Sequence, residues 1–78
     1  MTTEAFIAEL EELLEDLEPG TLSPDTVYKD LPVWDSLAVL QVINMVDAEC
    51  GVTVRAEDLR ECRTVGELHA LVEARRAG

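Results

Sequence analysis

The chain is poor in basic side chains, in aromatics and in histidine. Six lysines and arginines stand against 17 aspartates and glutamates, a formal charge of −11, and only Lys29 among the six precedes residue 55. A field of that sign disfavours nucleic acid and anionic membrane as ligands and makes a basic protein surface the natural complement. One histidine, His69, and two cysteines, Cys50 and Cys62, match no zinc spacing and no disulfide framework. Both thiols are expected to be free and buried, and His69 to lie at the surface or its boundary. No apolar run reaches the roughly 18 residues needed to cross a bilayer, and Met1-Thr2-Thr3-Glu4-Ala5 lacks the basic start of a secretory signal. A soluble, cytoplasmic protein is expected. The 78 residues predict one domain spanning 1–78, near the size at which a single core barely offsets the entropy of folding. A stand-alone enzyme is the least expected class, since there is little space for an enclosed pocket and no partner for a nucleophile.

What is present is patterned. Residues 1–18 carry seven acids and no base, whereas 55–78 balance five acids with five arginines. From Thr3, Phe6, Ile7, Leu10, Leu13, Leu14 and Leu17 recur at helical spacing, with Glu4, Glu9, Glu11, Glu12, Glu15, Asp16 and Glu18 on the remaining circumference. That predicts an amphipathic first helix closed by Pro19-Gly20. A long loop follows, in which Ser23-Pro24-Asp25 reads as a turn, Pro32 forbids a helix interior, and some of Leu22, Val27, Tyr28, Leu31 and Val33 must pack inward.

A second helix is predicted from Ser36 to about Cys50, stopped by Gly51. Val39, Val42, Ile43 and Val46 form its expected core stripe. Leu37 and Leu40 instead share the arc of Gln41, Asn44, Asp47 and Ala48, either as a small docking patch or covered by neighbouring loops. Asp35-Ser36-Leu37 opens this helix. A serine there faces the unpaired N–H groups of the first turn and the positive end of the macrodipole, which suits an attached phosphate. The simpler alternative is that the tripeptide only caps the helix.

Val52-Thr53-Val54 reads as extended, and Ala56 to Cys62 as a short helix with Leu59 and Cys62 facing inward. Thr64-Val65-Gly66-Glu67 has the form of a capping box, opening a last helix from Val65 to about Arg75 with Val65, Leu68 and Val72 inward. Arg75 and Arg76 suit its negative pole. The expected fold is all-α: a small four-helix bundle of three main helices and one short one, with a long loop between the first two.

In this order Asp30-Leu31, Asp35-Ser36-Leu37, the Val39/Val42/Ile43/Val46 stripe, Gly51-Val-Thr-Val54 and Thr64-Val65-Gly-Glu-Leu68 resemble the acyl carrier proteins along essentially the whole chain. The resemblance implies that Ser36 receives 4′-phosphopantetheine from coenzyme A and that the arm's thiol holds an acyl intermediate as a thioester. It implies a phosphopantetheinyl transferase as partner, which supplies magnesium and the general base for attack of the Ser36 hydroxyl. It gives Asp35 a part in holding the magnesium-bound diphosphate, and Leu37 an apolar contact on partner enzymes. An acyl-activating ligase or acyltransferase and downstream synthases or transferases complete the implied partners of a monomeric, non-enzymatic carrier.

The chain departs from the family pattern at two places. Val33 replaces the glycine common two residues before Asp-Ser-Leu, and Trp34 precedes Asp35; the indole is expected to pack on the loop, the alternative being contact with the arm and its cargo. The second helix reads Ala38, Gln41, Asn44 and Ala48 where fatty-acid carriers display carboxylates, leaving Asp47 and Glu49. The expectation is therefore a carrier of a specialised pathway, polyketide, nonribosomal peptide or modified polysaccharide. The alternatives are an aminoacyl or peptidyl carrier loaded by an adenylating ligase and, in a different class, an acidic interaction module with no prosthetic group.

Overall fold

The computed structural model describes residues 1–14 and 17–77. Among these residues there are four helices and no strand: α1 Thr3–Leu13, α2 Ser36–Cys50, α3 Ala56–Glu61 and α4 Val65–Ala77. None is long and apolar enough to cross a membrane. The all-α bundle with one short helix is as the periodicity predicts. Phe6, Leu10, Val42, Val46, Leu59 and Val72 meet at its centre, each nearly or wholly inaccessible to water.

α1 ends four residues earlier than its apolar spacing predicts. Leu14 is extended, at φ −88° and ψ 90°, and its side chain is buried. The predicted helical positions Glu15 and Asp16 lie outside the described residues. No base occupies the last turn of α1, and the acids from Glu9 onward oppose the negative pole of any longer helix. Glu11 is a second correction. Expected on the solvent face, it is buried, and its Oε2 accepts the backbone N–H of Leu22 at 2.9 Å. That bond draws the loop onto α1 and satisfies a carboxylate that burial would otherwise penalise.

The loop is pinned along its length. Thr26 N–H donates to Ser23 carbonyl at 3.1 Å, closing the turn predicted at Ser23-Pro24-Asp25. Tyr28 begins a one-turn 3₁₀ segment, Tyr28–Asp30, and is buried, with its hydroxyl between the carbonyls of Leu59 and Cys62. Burial pushes that phenol well above its ordinary range, with the Cys62 and Glu67 charges adding to the effect. Val65 N–H donates to Thr26 carbonyl at 3.0 Å and Gly66 N–H to Pro24 carbonyl at 2.8 Å. These are first-turn donors of α4, which have no partner within the helix. A Cβ on Gly66 would stand 3.0 Å from that Pro24 oxygen, so glycine permits the approach.

The α4 capping box forms only in part. Thr64 Oγ1 accepts Glu67 N–H at 3.1 Å, but the Glu67 carboxylate accepts Arg63 N–H at 3.0 Å in place of the Thr64 N–H. Arg75 and Arg76 stand in the last turn of α4 as expected, but the Arg75 side chain has a further partner. Both its terminal nitrogens bind Asp58, at 2.7 and 2.9 Å, and one also reaches Thr53 carbonyl at 3.1 Å, clamping α4 to the start of α3. The hydrogen bonds from Arg75 and from Arg55 N–H hold the Asp58 carboxyl below its ordinary value. His69 is a boundary residue as expected, its ring within hydrogen-bond reach of Thr3 Oγ1 and Met1 carbonyl, so it ties the start of α1 to α4. Cys50 and Cys62 are free and only half-buried.

Candidate functional site

The tripeptide at the start of α2 divides its two possible roles between two residues. Asp35 is the cap: its backbone is extended, its Oδ1 accepts Ala38 N–H at 2.8 Å, and its carbonyl accepts Val39 N–H at 3.0 Å. Ser36 is the first helical residue and is exposed. Among the described residues no hydrogen bond engages its hydroxyl. The N–H groups of Ser36 and Leu37 lie too early in the helix to reach an intrahelical carbonyl. The serine oxygen therefore stands free beside two unsatisfied donors at the positive pole of a helix of 15 residues.

On this side of α2, Leu37 is 61 % and Leu40 57 % exposed, and Asn44 is exposed as well. Gln41 is half-buried. Among the described residues no neighbouring loop covers the two leucines. Asp47 is on the same side but eleven residues from Ser36, about 16 Å along the axis at the α-helical rise. Three turns therefore separate the serine from the first exposed carboxylate of α2. Trp34 is half-buried, its ring edge-on to Tyr28 with centroids 4.8 Å apart, so the indole packs against the loop.

The core stripe of α2 is offset from the predicted one. Val42 and Val46 are fully buried as expected, but Ala38 and Met45 join them, while Val39 and Ile43 are only partly covered. Ala38 is thus no surface position. It lies within an open groove of about 300 Å³ between the end of α1 and the start of α2, also lined by Leu13, Leu14, Pro32, Val33, Asp35, Leu37 and Gln41. The structure brings three of the predicted site residues, Asp35, Leu37 and Gln41, into this groove. Its α1 and loop walls were not predicted as site residues, because Leu14 belongs to the apolar stripe and only the early end of α1 turns it towards α2.

Comparison with known proteins bears on this arrangement. The family model for the phosphopantetheine attachment site matches residues 4–72. The meromycolate extension acyl carrier protein of Mycolicibacterium smegmatis is 32% identical over 75 residues, covering 92% of this chain and 76% of that protein. The acyl carrier protein of Rhodococcus erythropolis is 33% identical, over 92% of this chain and 82% of its own. The anthracycline acyl carrier protein DauA of a Streptomyces species is 37% identical over 78 residues, with 92% of each chain covered. In fold, the solution structure of a holo acyl carrier protein from Geobacter metallireducens matches with a TM-score of 0.78 at 24% identity, over 97% of this chain and 86% of that one.

Proposed function

The chain belongs to the phosphopantetheine attachment site family, that of the acyl carrier proteins, and on that premise we propose that Ser36 is the residue to which the group is attached. The observation that carries this reading is the division of labour at the α2 start. Asp35 closes the helix end, so the Ser36 hydroxyl is free and water-accessible where the peptide dipoles favour a phosphodiester. The prosthetic group is covalent 4′-phosphopantetheine, whose thiol holds the acyl cargo as a thioester.

Ser36 Oγ is the nucleophile of its own modification. It forms the bond to the β-phosphorus of coenzyme A, loses its proton to a base on the transferase, and displaces adenosine 3′,5′-bisphosphate. Asp35 keeps a second carboxylate oxygen for the transferase-bound magnesium while the first holds the cap. Leu37, Leu40, Gln41 and Asn44 then form the face that successive enzymes read, with Trp34 behind the loop and Asp47 at the distal edge.

Two of the relatives are named for specialised products, a meromycolate and an anthracycline. Together with the uncharged first turns of α2, this supports a carrier for a specialised acyl pathway over one serving general fatty-acid synthesis. Its partners are a phosphopantetheinyl transferase, an acyl-loading enzyme and synthases whose contact with α2 depends on apolar fit more than on charge pairing.

Intact-mass measurement tests the attachment directly. Incubation with coenzyme A, magnesium and a promiscuous phosphopantetheinyl transferase adds one phosphopantetheine, and Ser36→Ala abolishes the gain. An unchanged wild-type mass overturns the assignment and favours an interaction module.

A further inference from the structure

We propose, on the reading that Ser36 carries the arm, that the groove between α1 and α2 seats the arm's proximal segment, the branched pantoyl unit next to the phosphate. Ser36 stands between two groove-lining residues, Asp35 and Leu37, so the segment is tethered at the groove's lip. A ligand held there by a short link meets its site at a millimolar effective concentration, and contacts too weak to capture free pantetheine suffice.

The lining matches the chemistry of that unit. Pantoate carries two methyl groups on one carbon, followed by a hydroxyl and an amide. Leu13, Leu14, Pro32 and Val33 offer apolar wall, and the Ala38 methyl leaves the space beside it open where a larger side chain would fill it. Polar partners are the Gln41 amide, which can donate and accept, and the Asp35 oxygen that the Ala38 N–H leaves unused. The groove contains a carboxylate and no base, so the phosphate itself stays outside, at the Ser36 and Leu37 N–H groups, and a neutral segment enters.

Size points to the same occupant. About 300 Å³ lies at the lower end of the range for small-molecule sites and has room for a short branched unit. The arm is thereby held against the protein at its root and free at its thiol end.

The experiment is enzymatic loading from coenzyme A that is isotope-labelled in its pantetheine portion, followed by NMR of the loaded protein. Intact mass first establishes that the group is attached. Cross-peaks between the pantoyl methyls and the methyls of Leu13, Leu14 and Val33 are the expected result. In Val33→Asp, observed on molecules that have gained the mass, those cross-peaks are lost. A mass gain with no groove contact overturns the proposal while leaving attachment at Ser36 intact. Groove contacts from the thiol end or the acyl cargo instead of the pantoyl methyls also overturn it. A failure to gain mass removes the attachment and this inference together. Should Val33→Asp fail to fold, the wild-type cross-peaks decide the matter alone.

Discussion

Replacing Asp35 and Ser36 one at a time separates the two jobs at the start of α2. In Asp35→Ala the Ala38 N–H loses the partner that Oδ1 supplies at 2.8 Å, and removing such a cap costs roughly 0.5–2 kcal/mol, typically about 1. In a domain of this size 1 kcal/mol moves the melting temperature by about 4–8 °C. Ser36→Ala removes an exposed hydroxyl at the first helical position, a change expected to stay within about 0.5 kcal/mol. Asp35→Asn adds a third arm, because asparagine caps as well as aspartate. It keeps the stability and removes only the charge, so a slowed gain of phosphopantetheine in that variant belongs to magnesium binding alone. Thermal and urea unfolding of the unmodified proteins by circular dichroism, with intact mass in parallel, gives both readouts. The scheme is refuted if Ser36→Ala is destabilised as much as Asp35→Ala, since the serine would then be a cap, or if Asp35→Ala unfolds with wild-type stability.

Three further outcomes are expected. Tyr28→Phe leaves the Leu59 and Cys62 carbonyls without their shared donor and should cost about 1–3 kcal/mol, read as a lower urea midpoint at unchanged slope. The pH dependence follows from Asp58, whose folded pKa lies below its unfolded value because of Arg75 and the Arg55 N–H. That contribution is present in full above the ordinary aspartate pKa and is lost as pH falls through the folded one, so wild type should shed more melting temperature than Arg75→Ala on acidification below about pH 4; parallel acid profiles would contradict it. Finally, seven acids without a base in residues 1–18 repel one another, so added salt or divalent cations should raise the melting temperature, and a salt-indifferent melting curve would count against that repulsion.

The elements whose signals are local were legible in the sequence. The Asp35-Ser36 entry, the Gly51 stop at φ 65° and the start of α4 all rest on residues within a turn of the feature they define. What escaped depends on a partner remote in the chain. Nothing local to Glu11 announces that Leu22 N–H will bury it, and nothing local to Arg75 names Asp58. Met45 and Ala38 took the core places expected of Val39 and Ile43 for the same reason: the packing of α2 depends on where α1 ends and how the loop returns, and neither is encoded in the period of α2 itself. At the site, Ser36 was legible as the helix entry and Leu37 and Leu40 as lying on the polar arc, whereas the exposure of the two leucines and the Leu13 and Leu14 wall of the groove required the fold.

The two bonds from Val65 and Gly66 to carbonyls of the α1–α2 loop make the α4 entrance a reporter of that loop. Amide protons at the first turn of a helix ordinarily exchange with solvent as fast as the helix end is wetted. Here they are sheltered by Thr26 and Pro24, so they exchange only when the loop lifts away. Deuterium uptake at Val65 and Gly66 therefore measures loop opening from the α4 side of the contact. The Leu22 amide, held by Glu11, should open with them as one unit, while the Ser36 and Leu37 amides exchange at their own faster rate.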